Sequence, residues 1–353
     1  MSQERGRLSS LNSLANAGLI EETKREALRP VADSYAIAVT PTLTRQIDRT
    51  DPADPIARMF IPSVEELTRT QEELADPIGD ATHTPAKGIV HRYPNRVLLK
   101  PVGVCPVYCR FCFRREMVGP ENAETLSPDE LQSALAYIRE NPAIREVILT
   151  GGDPFMLSAK RVAALTDSLG AIPHVKIIRW HTRMPVADPL RITQEFIEAL
   201  TSKSCTVYIS VHINHLNELS ADARVAIRNM ADAGLPLLSQ TVLLRGVNDR
   251  AETLADLFHA LTENRVQPYY LHHPDLAPGT GHFRLSVEEG QAIYADLRDQ
   301  VSGIALPHYV IDIPGGVSKA NAARSEVSGE GEALELRGRD GQQHPYSPGV
   351  PER

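Results

Sequence analysis

From Arg96 onward, short runs rich in Val and Ile alternate with longer amphipathic stretches, a rhythm that leaves few architectures open. The spacing predicts strands over 97–102, 146–150, 175–180, 206–211, 237–244 and 268–272. Helices are expected at 127–140, 158–169, 191–202, 217–233, 250–263 and 286–300, many of them opened by Ser, Thr or Asp. Six βα units in series imply an α/β protein with a parallel sheet, which right-handed crossovers curl into a partial (β/α)6-type TIM barrel. A seventh apolar run, 308–313, follows the last helix. Polar and glycine residues gather just after the strands, among them Gly151-Gly-Asp153, His181-Thr-Arg183 and His212-Ile-Asn-His215. In a parallel barrel these are the loops at the carboxyl ends of the strands, where active sites are built.

Residues 1–90 mix helical stretches such as 21–28 with proline-broken segments such as Asp51-Pro-Ala-Asp-Pro-Ile, and read as an N-terminal helical extension. The barrel is expected over 91–324. The tail, 325–353, turns rich in Gly, Glu, Arg, Gln and Pro and is expected to be mobile or to form a contact in a homo-oligomer. With 42% hydrophobic and 23% charged residues the composition is that of a globular protein. A net charge of −8 argues against sequence-independent nucleic-acid binding, which needs a cationic face to release counterions. No apolar run approaches the roughly 18 residues of a membrane span. The start, Met1-Ser-Gln-Glu-Arg-Gly-Arg, does not read as a secretory signal, so a cytoplasmic protein with no membrane partner is expected.

Three of the four cysteines, Cys105, Cys109 and Cys112, lie within eight residues, immediately after a strand. Thiolates are soft ligands suited to zinc or to iron-sulfur clusters, and a closed zinc site would want a fourth ligand. Cys205 opens a distant strand and reads as a core residue, so three thiolates leave one metal position open. Two further groups stand out. Asp312-Ile-Pro-Gly-Gly-Val-Ser-Lys319 is a strand end followed by a flexible turn and one lysine, suited to making and releasing a Schiff base. His91-Arg92-Tyr93-Pro-Asn-Arg96 sets two guanidinium groups beside the barrel entrance, planar forks matched to phosphate oxygens.

Cys105-Pro-Val-Tyr-Cys109-Arg-Phe-Cys112 resembles the signature of the radical S-adenosylmethionine enzymes. The resemblance implies that the three thiolates hold a 4Fe-4S cluster whose unique iron binds S-adenosylmethionine, and that the barrel is of the radical SAM type. It further implies that Gly151, Gly152 and Asp153 meet the methionine end of that cofactor, with Arg179, His212 and Gln240 lining it. The His-Arg-Tyr-Pro run, the cysteines with Arg114-Arg115 behind them, the run from Gln240 to Asp249 and His282-Phe-Arg284 together resemble the lysine 2,3-aminomutase family. That likeness implies pyridoxal 5′-phosphate on Lys319, its phosphate held by Arg92 and Arg96 with Tyr93 beside them.

By the same likeness Arg114 binds the substrate α-carboxylate, and Asp275 and Asp312 hold the ε-ammonium of lysine. A buried ammonium needs paired charge, whereas a side-chain carboxylate would be repelled by this pair. The expectation is an isomerase converting L-lysine to L-β-lysine, supplied by a one-electron reductant such as flavodoxin or ferredoxin. The alternatives are an aminomutase isomerising lysine for elongation factor P or acting on another amino acid, and, outside enzymes, a zinc-binding interaction protein.

Overall fold

The computed structural model describes residues 6–119, 125–330, 333–338 and 341–346. Nine strands pair in chain order: β1 (Ile89–Tyr93), β2 (Arg96–Val102), β3 (Glu146–Gly151), β4 (Ile177–Thr182), β5 (Thr206–His212), β6 (Leu237–Val242), β7 (Val266–His272), β8 (His308–Asp312) and β9 (Lys319–Asn321). Strands β2 to β8 run parallel, and β1 and β9 are antiparallel strands at the two ends. The seventh apolar run is therefore a full member of the sheet, and the hairpin of β1 and β2, which straddles the expected boundary at residue 90, opens it.

Period-two alternation sorts each strand into a helix-facing and a cavity-facing set. Val147, Leu149, Ile178, Trp180, Val207 and Ile209 are buried in the main core under the helices, where Phe155 lies 5.9 Å from the Trp180 ring. Their sequence neighbours Ile148, Thr150, Arg179 and His181 line the inside. The helices start where serine and threonine caps predict. Ser127, Ser158, Thr193, Ser220 and Ser286 each accept a backbone N–H in the first turn, and Glu130 and Glu289 close the reciprocal bond of a capping box.

Some boundaries differ from expectation. Strand β4 begins at Ile177 because Val175 is tied in a turn to the carbonyl of Ile172. Strand β6 stops at Val242, since Asn248 Oδ1 takes the Leu244 N–H at 2.7 Å and bends the chain away from the sheet. In the tail, β10 (Val327–Glu330), β11 (Ala333–Arg337) and β12 (Gln343–Tyr346) form a three-stranded antiparallel sheet, an order its composition did not suggest. Residues 1–5 of the expected extension and 331–332, 339–340 and 347–353 of the expected tail lie outside the described residues. Among the described residues no helix is long and apolar enough to cross a membrane.

The extension consists of short helices with a core of their own, in which Leu14, Val39, Leu43, Ile56 and Phe60 pack against Val107, Leu244 and Phe283 from the barrel's rim loops. It therefore lies over the carboxyl ends of the strands. One carboxylate fastens it there. Glu66 accepts from Arg110 Nε at 2.9 and 3.1 Å, from Arg110 Nη2 at 2.5 Å and from Arg115 Nη2, and all three side chains are buried. Burial alone would raise its carboxyl pKa, but the two guanidinium groups outweigh that and hold it below the usual range.

Breaking such a pair leaves an uncompensated buried charge, at a cost on the order of 3–5 kcal/mol. Glu66→Gln is expected to lose about that much in denaturant unfolding. Because the folded pKa is depressed, the clamp's stabilisation is complete above the ordinary glutamate pKa and lost as pH falls through the folded value. The variant should lack this acid-side slope.

Candidate active site

The sequence-predicted site residues, from Arg92, Tyr93 and Arg96 to Asp312 and Lys319, line one cavity of about 400 Å³ inside the barrel. The three cysteines lie on the loop after β2, partly exposed and facing that space. Burial pushes each thiol up, Cys109 to about 12, with neighbouring negative charge adding to the effect at Cys105. Three thiols on one short loop facing the same space are a donor set that fits a metal group, whose positive charge would hold them as thiolates. Among the described residues no three His, Cys, Asp or Glu side chains converge as a single ion requires. A cubane cluster makes a different demand, because each thiolate binds its own iron. Cys205 bonds Ser202 beside the main core, away from the cavity.

Gly151 and Gly152 line the cavity and also permit a close backbone contact. A Cβ on Gly152 would stand 2.3 Å from the Val104 carbonyl oxygen, and one on Gly151, at φ +110°, would stand 2.8 Å from that of Val102. The two glycines let β3's loop lie against the backbone that leads into Cys105, joined by N–H bonds from Gly152 to Val102 and from Asp153 to Val104, both 2.8 Å. The Asp153 carboxylate is spent within the protein. It accepts from the N–H groups of Phe155 (2.9 Å) and Arg183 (2.8 Å) and from Thr182 Oγ1 (2.8 Å), and burial pushes its pKa up in spite of these donors.

Strand register puts His212 beside Gln240 and Gln240 beside Tyr270, one row across the barrel. His181, which the sequence places among the rim residues without assigning it a role, joins them: the Gln240 amide lies 3.2 Å from its Nε2, and its ring is 5.7 Å from that of His212. Burial, reinforced by nearby arginines, drives His181 far below the ordinary histidine pKa and His212 to about 3, so both rings are neutral. Arg179 sits deeper, where its charge is met by Glu146 at 2.9 Å and its guanidinium covers the Tyr269 ring.

The hairpin of β1 and β2 pairs Tyr93 with Arg96 across Pro94-Asn95, and the Arg96 guanidinium stacks 3.7 Å from the Tyr93 ring centre. Arg92 donates to the Ile78 carbonyl at 2.9 Å. The turn before Lys319, expected to be flexible, is pinned. Gly315 N–H bonds the Pro77 carbonyl at 3.1 Å, and Gly79 packs so closely on Gly315 that a Cβ there would stand 2.3 Å from its oxygen. Lys319 is the residue paired with Asp312 between β9 and β8, and its Nζ lies 2.5 and 2.6 Å from the carboxylate oxygens.

Asp312 also lies 3.4 Å from His272 Nδ1 and, despite burial, these partners hold its pKa well below the carboxylate range. Asp275 shows the opposite shift: burial and then the charge of Asp312 push it up to about 7. Arg114 is buried, donates its Nε to Asp80 Oδ2 at 2.9 Å and faces the cavity. Buried His272 Nε2 and Arg179 Nε have no partner in the protein.

This arrangement is that of a radical S-adenosylmethionine enzyme, and a model of the radical SAM superfamily matches residues 99–258. The L-lysine 2,3-aminomutase of Clostridium subterminale is 38% identical over 317 residues, spanning 90% of this chain and 76% of that protein. The glutamate 2,3-aminomutase of Clostridioides difficile (strain 630) is 36% identical, spanning 89% and 74%. The L-lysine 2,3-aminomutase of Escherichia coli (strain K12) is 37% identical, spanning 84% and 86%. The chain belongs to the lysine 2,3-aminomutase family. It is an isomerase that works with a 4Fe-4S cluster, S-adenosylmethionine and pyridoxal 5′-phosphate, which sets aside the zinc-binding alternative. The residues present fit these groups: three thiols on one short loop, an amine facing the cavity, two guanidinium groups, and buried polar atoms without partners.

Replacing Cys105, Cys109 or Cys112 by Ala is expected to abolish iron retention after anaerobic reconstitution, read by iron analysis and visible absorption. Cys205→Ala should keep both. Loss of the cluster in Cys205→Ala would point instead to a site closed by four thiolates.

Proposed function

We propose that this aminomutase converts L-lysine to L-β-lysine, moving the amino group from C2 to C3, in the cytoplasm and with electrons from a flavodoxin- or ferredoxin-type donor. The observation that carries the reading is the polarity of the cavity. Arg114 lines it, and so does an acidic pair, Asp275 and Asp312, with Lys319 as the cation beside Asp312. Free lysine carries a carboxylate and a side-chain ammonium, one for each sign of charge in that lining.

When bound, the cluster and S-adenosylmethionine supply a carbon radical that takes a hydrogen from the substrate, and pyridoxal carries the nitrogen that migrates. The protein's work is placement. Cys105, Cys109 and Cys112 hold the cluster; Gly151, Gly152 and Asp153 shape the loop beside it, and His212 and Gln240 face S-adenosylmethionine with Arg179 beneath. Arg92 and Arg96, with Tyr93, take the phosphate. Lys319 gives its amine to pyridoxal, which deprives Asp312 of its counter-ion, and the substrate's ε-ammonium restores one. A glutamate side chain would bring a third carboxylate to Asp275 and Asp312, an unfavourable contact that argues for lysine although relatives at similar identity include a glutamate enzyme.

Borohydride reduction followed by peptide mapping is expected to place the pyridoxyl label on Lys319; a label on Lys160, Lys176 or Lys203 would sink the assignment.

The pKa of Asp275 also makes lysine binding pH-dependent. The ammonium needs the ionised carboxylate, so affinity should rise as pH passes through about 7 and level off above it. Asp275→Asn should weaken lysine and flatten this profile while leaving cofactor uptake intact. Since the native state holds that proton above the ordinary aspartate pKa, the substrate-free protein should lose stability as pH rises from about 4 to about 7 and no further above it.

A further inference from the structure

Within the extension segment Asp76 to Asp80, three residues touch the cavity wall or the turn behind it. Arg92 donates to the Ile78 carbonyl, Gly315 in the lysine turn donates to that of Pro77, and Asp80 meets Arg114. Asp80 is almost fully buried, with its Oδ2 2.9 Å from Arg114 Nε and 3.6 Å from Lys100 Nζ, and its Oδ1 3.8 Å from Arg92 Nη2. Three cations thus share one carboxylate, and Oδ1 has no hydrogen-bond partner.

The direction of approach matters. Asp80 takes Arg114 by Nε, on the side of the guanidinium. Of the terminal nitrogens, Nη1 makes only a long 3.4 Å contact with Thr150 Oγ1. A guanidinium held at its side presents its end, the two-pronged edge that a carboxylate fits bidentately. We infer that Asp80 is a positioning residue, which fixes Arg114 end-on to the substrate carboxylate and ties it to Arg92 so that carboxylate seat and phosphate seat keep one spacing. The inference rests on the reading that Arg114 receives that carboxylate. Asp80 would touch neither substrate nor cofactor.

Charge and position predict opposite signs, which makes the test sharp. If Asp80 were only a neighbouring anion, it would repel the substrate carboxylate, and its removal would tighten lysine binding. If it positions Arg114, removal weakens binding. The measurement is an equilibrium titration of lysine into pyridoxal-loaded protein without S-adenosylmethionine or reductant, followed by the pyridoxal absorption band, alongside turnover of the full holoenzyme.

Asp80→Ala is expected to raise the lysine Kd about ten- to a hundred-fold, the scale of a lost charged hydrogen bond, with KM following and kcat changing less. Asp80→Asn keeps an oxygen opposite Arg114 Nε and should recover most of that loss, remaining a few-fold weaker than wild type. An unchanged or lowered Kd in Asp80→Asn overturns the proposal, and that arm decides should the alanine variant fail to fold. Arg114→Lys separates the two levels. If it weakens lysine while the Asp80 variants do not, Asp80 is a bystander and Arg114 keeps its role; if it has no effect either, the carboxylate reading itself falls.

Discussion

The buried contact between Glu66 and the guanidinium groups of Arg110 and Arg115 is what lets the cysteine loop exist in one shape. Arg110 lies between Cys109 and Cys112 in the chain, and Arg115 follows three residues after Cys112, so their anchorage fixes the loop from within and from its exit. Arg110 Nη1 also reaches the Ala36 carbonyl at 2.9 Å, and Arg115 Nη1 reaches those of Arg110 and Gly279. Two cations in the interior would be costly without an anion. Supplied by the extension, that anion makes the covering of the rim and the shaping of the loop one event.

The same device recurs around the cavity. Asp80 serves Arg114, Glu218 serves Arg183 and Glu73 serves Arg284 at 2.6 Å, each an acid placed against an arginine near the rim. Arg183 in turn lies beside the rings of Phe60 and Phe111, one from the extension and one from the cysteine loop. A rim stiffened by buried ion pairs holds its polar groups without solvent to reorganise. Radical chemistry requires that condition, because water and oxygen must stay out while the substrate is held still.

Much of this was legible in the sequence because the signals are local. Apolar runs with a period of two, serine and threonine caps, and cysteines at fixed spacing all act within a few residues, so the strands, helices and candidate cluster ligands could be placed. What escaped depends on contacts between distant segments. Glu66 and Asp80 sit in short irregular stretches whose acids look like solvated surface until the barrel arginines meet them. Strand β1 was hidden because only Ile89 and Val90 precede its polar residues, too short an apolar run to mark a strand. At the Gly151-Gly152 pair the sequence marks a close approach, but not that the backbone leading into Cys105 makes one there.

Lys319 shows how rigidity and exchange coexist. Its turn is held by Pro77 and by the tight fit of Gly79 against Gly315, and β9 is an edge strand of only three residues. The backbone therefore cannot swing the amine in and out, and the travel has to come from the lysine's four-carbon stem, which stays partly exposed within the cavity. Asp312, directly across the ladder, holds the Lys319 ammonium. The strand pairing thus sets where the Lys319 ammonium rests, and the length of the stem sets how far it reaches into the cavity.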